Sequence, residues 1–191
     1  MSDLEGQVKP LLEPLLGGER RGLDLAAQST IALWGMKIAM VLQCVDAQSK
    51  AQYTPAECSQ LRALSAIPVR TSAWLGACAQ SSFIMTSRTH HSAGEAPETP
   101  RGFSTTLVFG HVALQYFTMR FTPPAPAATQ VTVDVRKGPW EDATVRIWPP
   151  RPDSVAWPPR LGFNQEFGLD LLAERFEVTR PGAVKTQKLA V

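Results

Sequence analysis

Residues 25 to about 48 set the first constraint on the fold. Asp24 supplies an N-cap, and the run that follows is LAAQSTIALWGMKIAMVLQ. Its apolar positions, Ile31, Leu33, Trp34, Ile38, Val41, Leu42 and Val45, wrap more than half of a helix circumference. Such a helix cannot rest on a surface, so the rest of the chain must pack around it. The apolar stretch from Ile31 to Val45 contains Lys37 and Gln43 and falls short of the ~20 residues that a bilayer span requires. A core helix and no membrane association are the expectation.

Two further helices flank it. Ser2 and Glu5 have the S-x-x-E spacing of a capping box, predicting a helix from Ser2 to Lys9 that Pro10 ends. Leu11, Leu12, Leu15 and Leu16 then form an apolar patch before the loop GGERRG. In TPAE, Thr54 is the N-cap, Pro55 occupies the first helical position and Glu57 closes the box, predicting a helix that ends by Ser65.

The hydrophobic period then changes. VRTSAWLGACAQSSFIMTS reads as one or two strands, and Thr89 to Gly102 as a polar loop. FSTTLVFGHVALQYFTMRFT is strand-like throughout, either a hairpin turning at Gly110 and His111 or one long bent strand. Val112, Leu114 and Tyr116 take one phase and Phe117, Met119 and Phe121 the other, which predicts a bulge near Tyr116 and Phe117. Short strands follow at 131–135 and 144–148, then a helix over 164–176 and a loose tail. The predicted class is α+β: three N-terminal helices on an antiparallel sheet, closed by a C-terminal helix. One domain is expected over 1–178 (helical 1–66, mainly β 67–160), with a flexible tail over 179–191.

Composition narrows the partners. With 191 residues, 44% hydrophobic and 19% charged, the chain is an ordinary globular sequence. A net charge of +2 is too small to imply nucleic-acid binding by itself. The 16 prolines exceed the usual roughly 5% and cluster late, arguing for rigid connections there. Cys44, Cys58 and Cys78 are odd in number and lack a C-x-x-C spacing, which suits buried thiols in a reducing cytoplasmic compartment.

The chemistry-bearing residues are sparse. His90 and His91 fall in the predicted polar loop, where Glu95 and Glu98 are the carboxylates near them and a solvated loop is favoured over metal binding, and His111 lies in or beside a turn. No P-loop, dinucleotide fingerprint, G-x-S-x-G or H-E-x-x-H is present. No cofactor or catalytic residue is therefore assigned. Lys37 is the single charge in the central helix, expected to pack its stem and extend its ammonium to the surface, with a base role as the sharper alternative. In IWPPRPDSVAWPPR, W-P-P occurs twice, at Trp148 and Trp157, each followed by an arginine, Arg151 and Arg160. Aromatic faces beside guanidinium groups can stack bases or grip phosphates. The structural alternative is two stiff corners anchored by tryptophan. Lys185 and Lys188 in the tail are further, weaker candidates for nucleic-acid or partner contact.

MSDLEGQVKPLLEPLLGG, LDLAAQSTIALWGMKIAMVLQ, PVRTSAWLGA and VAWPP together resemble the C-terminal part of bacterial HNH endonuclease-like proteins. In that family a similar segment follows a zinc-binding C-x-x-C-N-N-G-W stretch, with the catalytic histidine earlier still. The likeness covers most of the chain as hydrophobic and aromatic landmarks. Neither the C-x-x-C nor an E-H-x-x-P histidine occurs here, so the start reads as the middle of a longer ancestor. The resemblance implies a non-catalytic accessory or partner-binding domain. A nucleic-acid-binding module and an interaction protein completing a separate catalytic chain are the alternatives. A protein partner or a second copy is expected at the N-terminal helix. The patch Leu4, Val8, Leu11, Leu12 and Leu15 should then be partly exposed.

Overall fold

The computed structural model describes residues 2–45, 52–92, 101–120, 132–135, 140–163, 172 and 175–179. The chain is α+β. Helix α1 (Ser2–Leu16) leads through strand β1 (Arg21–Leu23) to α2 (Leu25–Val45) and α3 (Pro55–Leu64). Two long strands follow, β2 (Thr71–Ser92) and β3 (Arg101–Arg120), then β4 (Thr132–Val135) and the short α4 (Trp140–Ala143). β5 (Thr144–Trp148), β6 (Val155–Trp157), β7 (Gly162–Phe163) and β8 (Phe176–Thr179) complete the described elements. The larger sheet has the order β3-β2-β5, with β7 added to β2 in parallel, while β1–β6 and β4–β8 are two antiparallel pairs.

Both central caps form as their sequences dictate. The Asp24 carboxylate accepts from the Ala27 amide at 2.8 Å. Thr54 and Glu57 make the reciprocal box, and α3 closes on Ser65 in the left-handed region. Helix α1 departs from expectation by running through Pro10 and Pro14 to Leu16. An interior proline costs about 3 kcal/mol, but ending at Lys9 would forfeit the burial of Leu12 and Leu15, at about 1.5–3 kcal/mol each. Pro14 has no amide for the Pro10 carbonyl four residues back, and Arg21 Nη1 donates to that oxygen instead, at 3.0 Å. The N-terminal patch is covered only in part. Val8, Leu12 and Leu15 are buried, and Leu4 and Leu11 are half-buried, because the stripe faces α2. Glu5 of the predicted Ser2 box has its carboxylate on Lys37, and the Ser2 side chain lies outside the described ones.

At 21 residues, α2 is longer than its apolar run and long and apolar enough to cross a bilayer. Its Ala27, Ile31, Met36 and Ala39 pack into the cluster that includes Leu15 of α1 and Leu75 and Leu114 of the sheet, as a core helix does. Gly35 lets it approach closely: a Cβ there would lie 2.3 Å from Tyr116 Oη, which donates to the Ala32 carbonyl at 2.8 Å. We expect Gly35→Ala to destabilise by roughly 1–2 kcal/mol. Overpacking exceeds the ~1 kcal/mol gain in helix propensity, and urea denaturation showing no loss would refute the close approach.

The sheet corrects two expectations. Thr89 to Ser92 continue β2, with His90 and His91 opposite Phe103 and Gly102, so only 93–100 remain for a loop, outside the described residues. β3 is one long strand, and its register runs unbroken past Tyr116 and Phe117. The slip lies at Gly110, which has φ +57° and faces two irregularities in β2 around Ser81. Phe103 and Leu107 before it, and Val112, Leu114 and Tyr116 after it, all belong to the helix-facing core. Val108, Ala113, Phe117 and Met119 face the other way, towards Phe163, Leu172, Phe176 and Val178. Both faces are covered, so apolar residues occupy both phases and hide the true slip.

The closing helix expected over 164–176 falls mostly outside the described residues. Phe176, its intended last residue, instead opens β8 and pairs with Val135. Thr179 ends that strand, and the remaining tail, with Lys185 and Lys188, lies outside the described residues.

Candidate functional site

The segment from Trp148 to Gly162 is the most elaborately held irregular stretch described. It leaves β5 at Trp148 and returns through β6, whose Val155, Ala156 and Trp157 pair with Leu23, Gly22 and Arg21 of β1. The residue that ties it to the core is Gln28, which is 0% exposed on the inner side of α2. Its Oε1 accepts from the Arg151 amide at 2.8 Å. Its Nε2 donates to the carbonyls of Leu23 at 3.0 Å, Asp153 at 3.1 Å and, at longer range, Arg151 at 3.3 Å. At the far end the Leu161 amide bonds the Asp142 carbonyl at 3.0 Å. One neutral side chain thus satisfies several backbone groups of the stretch between β5 and β6, which has no ladder of its own.

On this scaffold Arg151 and Arg160, both exposed, line one open groove of about 280 Å³ with Asp142, Ser154, Pro158 and Pro159. Both Trp–Pro bonds are cis. The two tryptophans do not share the groove. Trp157 is 2% exposed in the main core, and Trp148 is half-buried against it. A Trp157 ring enclosed by protein offers no face to a nucleobase, so the aromatic part of the predicted corner serves as an anchor and the arginines alone face solvent. Two guanidinium groups against the single carboxylate of Asp142 leave one net positive charge, enough to favour an anionic group on a neighbour. Gln28 and Asp142 were not singled out in the sequence. A lone amide on the buried flank of an apolar helix was the available signal for Gln28.

Lys37 is half-buried and forms an ion pair with Glu5, joining α2 to α1. That hydrogen bond is the main reason the Glu5 carboxyl lies below its ordinary value. Its ammonium therefore reaches the surface as a partner of Glu5. A second depression of about 330 Å³ opens here, lined by Asp3, Leu4, Gln7, Leu33, Lys37 and Arg62. His111 sits in β3 at the bend, with Nδ1 3.1 Å from the Cys78 carbonyl. The three thiols are free, and the expectation that all are buried holds only for Cys78. Cys58 is half-buried and Cys44 exposed. Burial pushes the Cys78 thiol up to about 11. Among the described residues no group of three or more His, Cys, Asp or Glu is placed to hold a metal ion.

Comparison of the chain with protein-family models, with curated proteins and with solved structures finds no match.

Proposed function

We propose that the chain is a non-catalytic accessory domain that binds a partner, related to the C-terminal part of HNH-type nucleases and working in a bacterial cytoplasm. The groove rimmed by Arg151 and Arg160 is its contact surface. The observation that carries this reading is the Gln28 clamp. A fold that satisfies the backbone of an exposed loop from its core, and mounts two solvent-facing arginines on it, has a rigid basic surface ready for an anionic partner. The resemblance of the sequence landmarks to those of the nuclease family is the basis for the class of assembly proposed.

The second reading, a nucleic-acid-binding module, rests on the same two guanidinium groups, because phosphates are the densest anionic surface they could meet. Electrophoretic shift of duplex and single-stranded DNA across a salt series separates the two. Binding through the groove must weaken as salt rises, and Arg151→Ala with Arg160→Ala should reduce the slope of log K against log salt by about 2. A flat or absent response removes the nucleic-acid reading. Light scattering of the purified chain, alone and with co-purifying protein, then tests the partner reading and the alternative contact at the N-terminal helix. Plasmid incubated with divalent metals should stay intact. Cleavage that follows the protein through purification would overturn the non-catalytic assignment.

A further inference from the structure

Cys44 and Cys58 belong to two helices that run side by side in opposite directions. Near the end of α2, Gln43 Oε1 accepts from the amides of Gln52 and Tyr53, both at 2.6 Å, and Nε2 donates to the Tyr53 carbonyl at 2.9 Å. That clamp holds the approach to α3, which begins at Pro55, beside the end of α2. At the opposite end, Leu33 and Lys37 of α2 share a depression with Leu61 and Arg62 of α3 and with its cap residue Ser65.

Helical phase then brings the two thiols together. Leu33, Lys37 and Cys44 recur at i, i+4 and i+11 on α2, and Cys58, Leu61, Arg62 and Ser65 at i, i+3, i+4 and i+7 along α3. Such spacings keep each set on one face. Cys44 stands seven residues past Lys37 and Cys58 seven before Ser65, so each lies about 10.5 Å along its own axis from the shared depression, at the Gln43 end. Cys44 is exposed, while Cys58 is half-buried and packs on the main core. Burial raises the Cys58 thiol, and the charges of Cys44 and Glu57 raise it further. A thiol far from Cys44 would not feel that charge.

We propose that Cys44 and Cys58 are a reactive dithiol pair, which a small-molecule disulfide converts into a cross-link between α2 and α3. The exposed Cys44, as thiolate, attacks one sulfur of the small disulfide, forming a mixed disulfide and releasing the first small thiolate. The Cys58 thiolate then attacks Cys44 Sγ, the protein S–S bond forms, and the second small thiolate leaves. The two protons shed by the cysteines end on the two released thiols. The protein pair loses two electrons and the small disulfide gains them. Exposure divides the labour: Cys44 meets the reagent, and the shielded Cys58 reacts from within the fold. The cross-link fixes the spacing of α2 and α3 beside the depression at Lys37 and Arg62. It also reaches the sheet, because Glu57, next to Cys58, forms an ion pair with Arg120 at the end of β3.

The test uses the full chain, reduced, freed of reductant and incubated with oxidised glutathione. Free thiols counted after denaturation should fall from three to one, and the mass should drop by two hydrogens with no adduct retained. Peptide mapping should return Cys44 joined to Cys58 within one chain, a readout on the native sequence that needs no variant to fold. The link closes the 15 residues from 44 to 58, so Tm should rise by roughly 5–10 °C, and dithiothreitol should reverse the change. Cys58→Ser should stop at a glutathione adduct on Cys44, Cys44→Ser should react about tenfold more slowly, and Cys78→Ser should behave as wild type. Four results would each overturn the proposal: no reaction, a stable adduct on Cys44 of the wild type, Cys44 joined to a second copy, or a linked form with a lower Tm, which would place the thiols apart in the native fold.

Discussion

Replacing Arg175 with methionine should make the protein more stable at pH 7, by about 2–3 kcal/mol. The depression of the guanidinium to about 9 by burial corresponds to a penalty of roughly 4–5 kcal/mol for enclosing its charge. Methionine fills a similar volume without that penalty. Against it stand the Thr144 hydrogen bond and the contacts with Trp74 and Phe176, together about 2 kcal/mol. The net sign follows the larger figure, as when buried charges elsewhere are exchanged for apolar groups. The pH dependence has a definite direction. At pH 7 the group is protonated in both the folded and unfolded chains, so the penalty is present in full. Above about 9 the folded protein releases the proton while the unfolded chain retains it, so the wild type gains stability relative to the variant. The gap between the two should therefore narrow as pH rises from 8 towards 11. Denaturant titrations at several pH values would measure it, and a variant less stable than wild type at pH 7 would show that burial of the cation is compensated within the fold.

Gln28→Leu should have a comparable effect of opposite sign, a loss of about 3 kcal/mol. Leucine has nearly the same volume and a better helix propensity, so neither a cavity nor the helix accounts for the loss. What disappears is the acceptor for the Arg151 amide and the donor shared by the carbonyls of Leu23, Arg151 and Asp153. Each buried backbone group left unpaired costs about 1–3 kcal/mol, moderated where the loop can shift to reach water. The same variant should also weaken any anion binding at the groove, because the backbone that carries Arg151 loses its fixed position. A stability change below 1 kcal/mol in urea, with binding intact, would mean that the strand pairing between β1 and β6 holds the loop unaided.

The readable parts of this fold are the ones decided locally. Asp24, Thr54, Pro55 and Glu57 form their caps because the competing partners lie within four residues. The change from helical to strand period gave the α+β class for the same reason. The misplaced bulge had a different cause. With both faces of β3 buried, hydrophobicity carries no phase information, and only the backbone freedom of Gly110 marked the true position. Helix α1 ran past Pro10 because tertiary burial outweighed a local cost. At the site, the exposure of Arg151 and Arg160 together follows from their repeated motif. The Gln28 clamp depends on residues 123 and 125 positions away, and no short-range pattern encodes that distance. Arg175 was hidden for a related reason, since its burial against Trp74, Phe176 and Thr144 exists only once the strands have come together.

Arg21 has a consequence for how the molecule transmits force. It fills the carbonyl of Pro10 left empty by Pro14, and as part of β1 it pairs with Trp157 at the end of β6. The C-terminal half of α1 is therefore geared to the strand that carries the arginine groove. Anything that levers α1 away from α2, including a protein docking on the depression beside Lys37, pulls on the same strand that sets the height of Arg160. The two depressions are mechanically in series rather than independent.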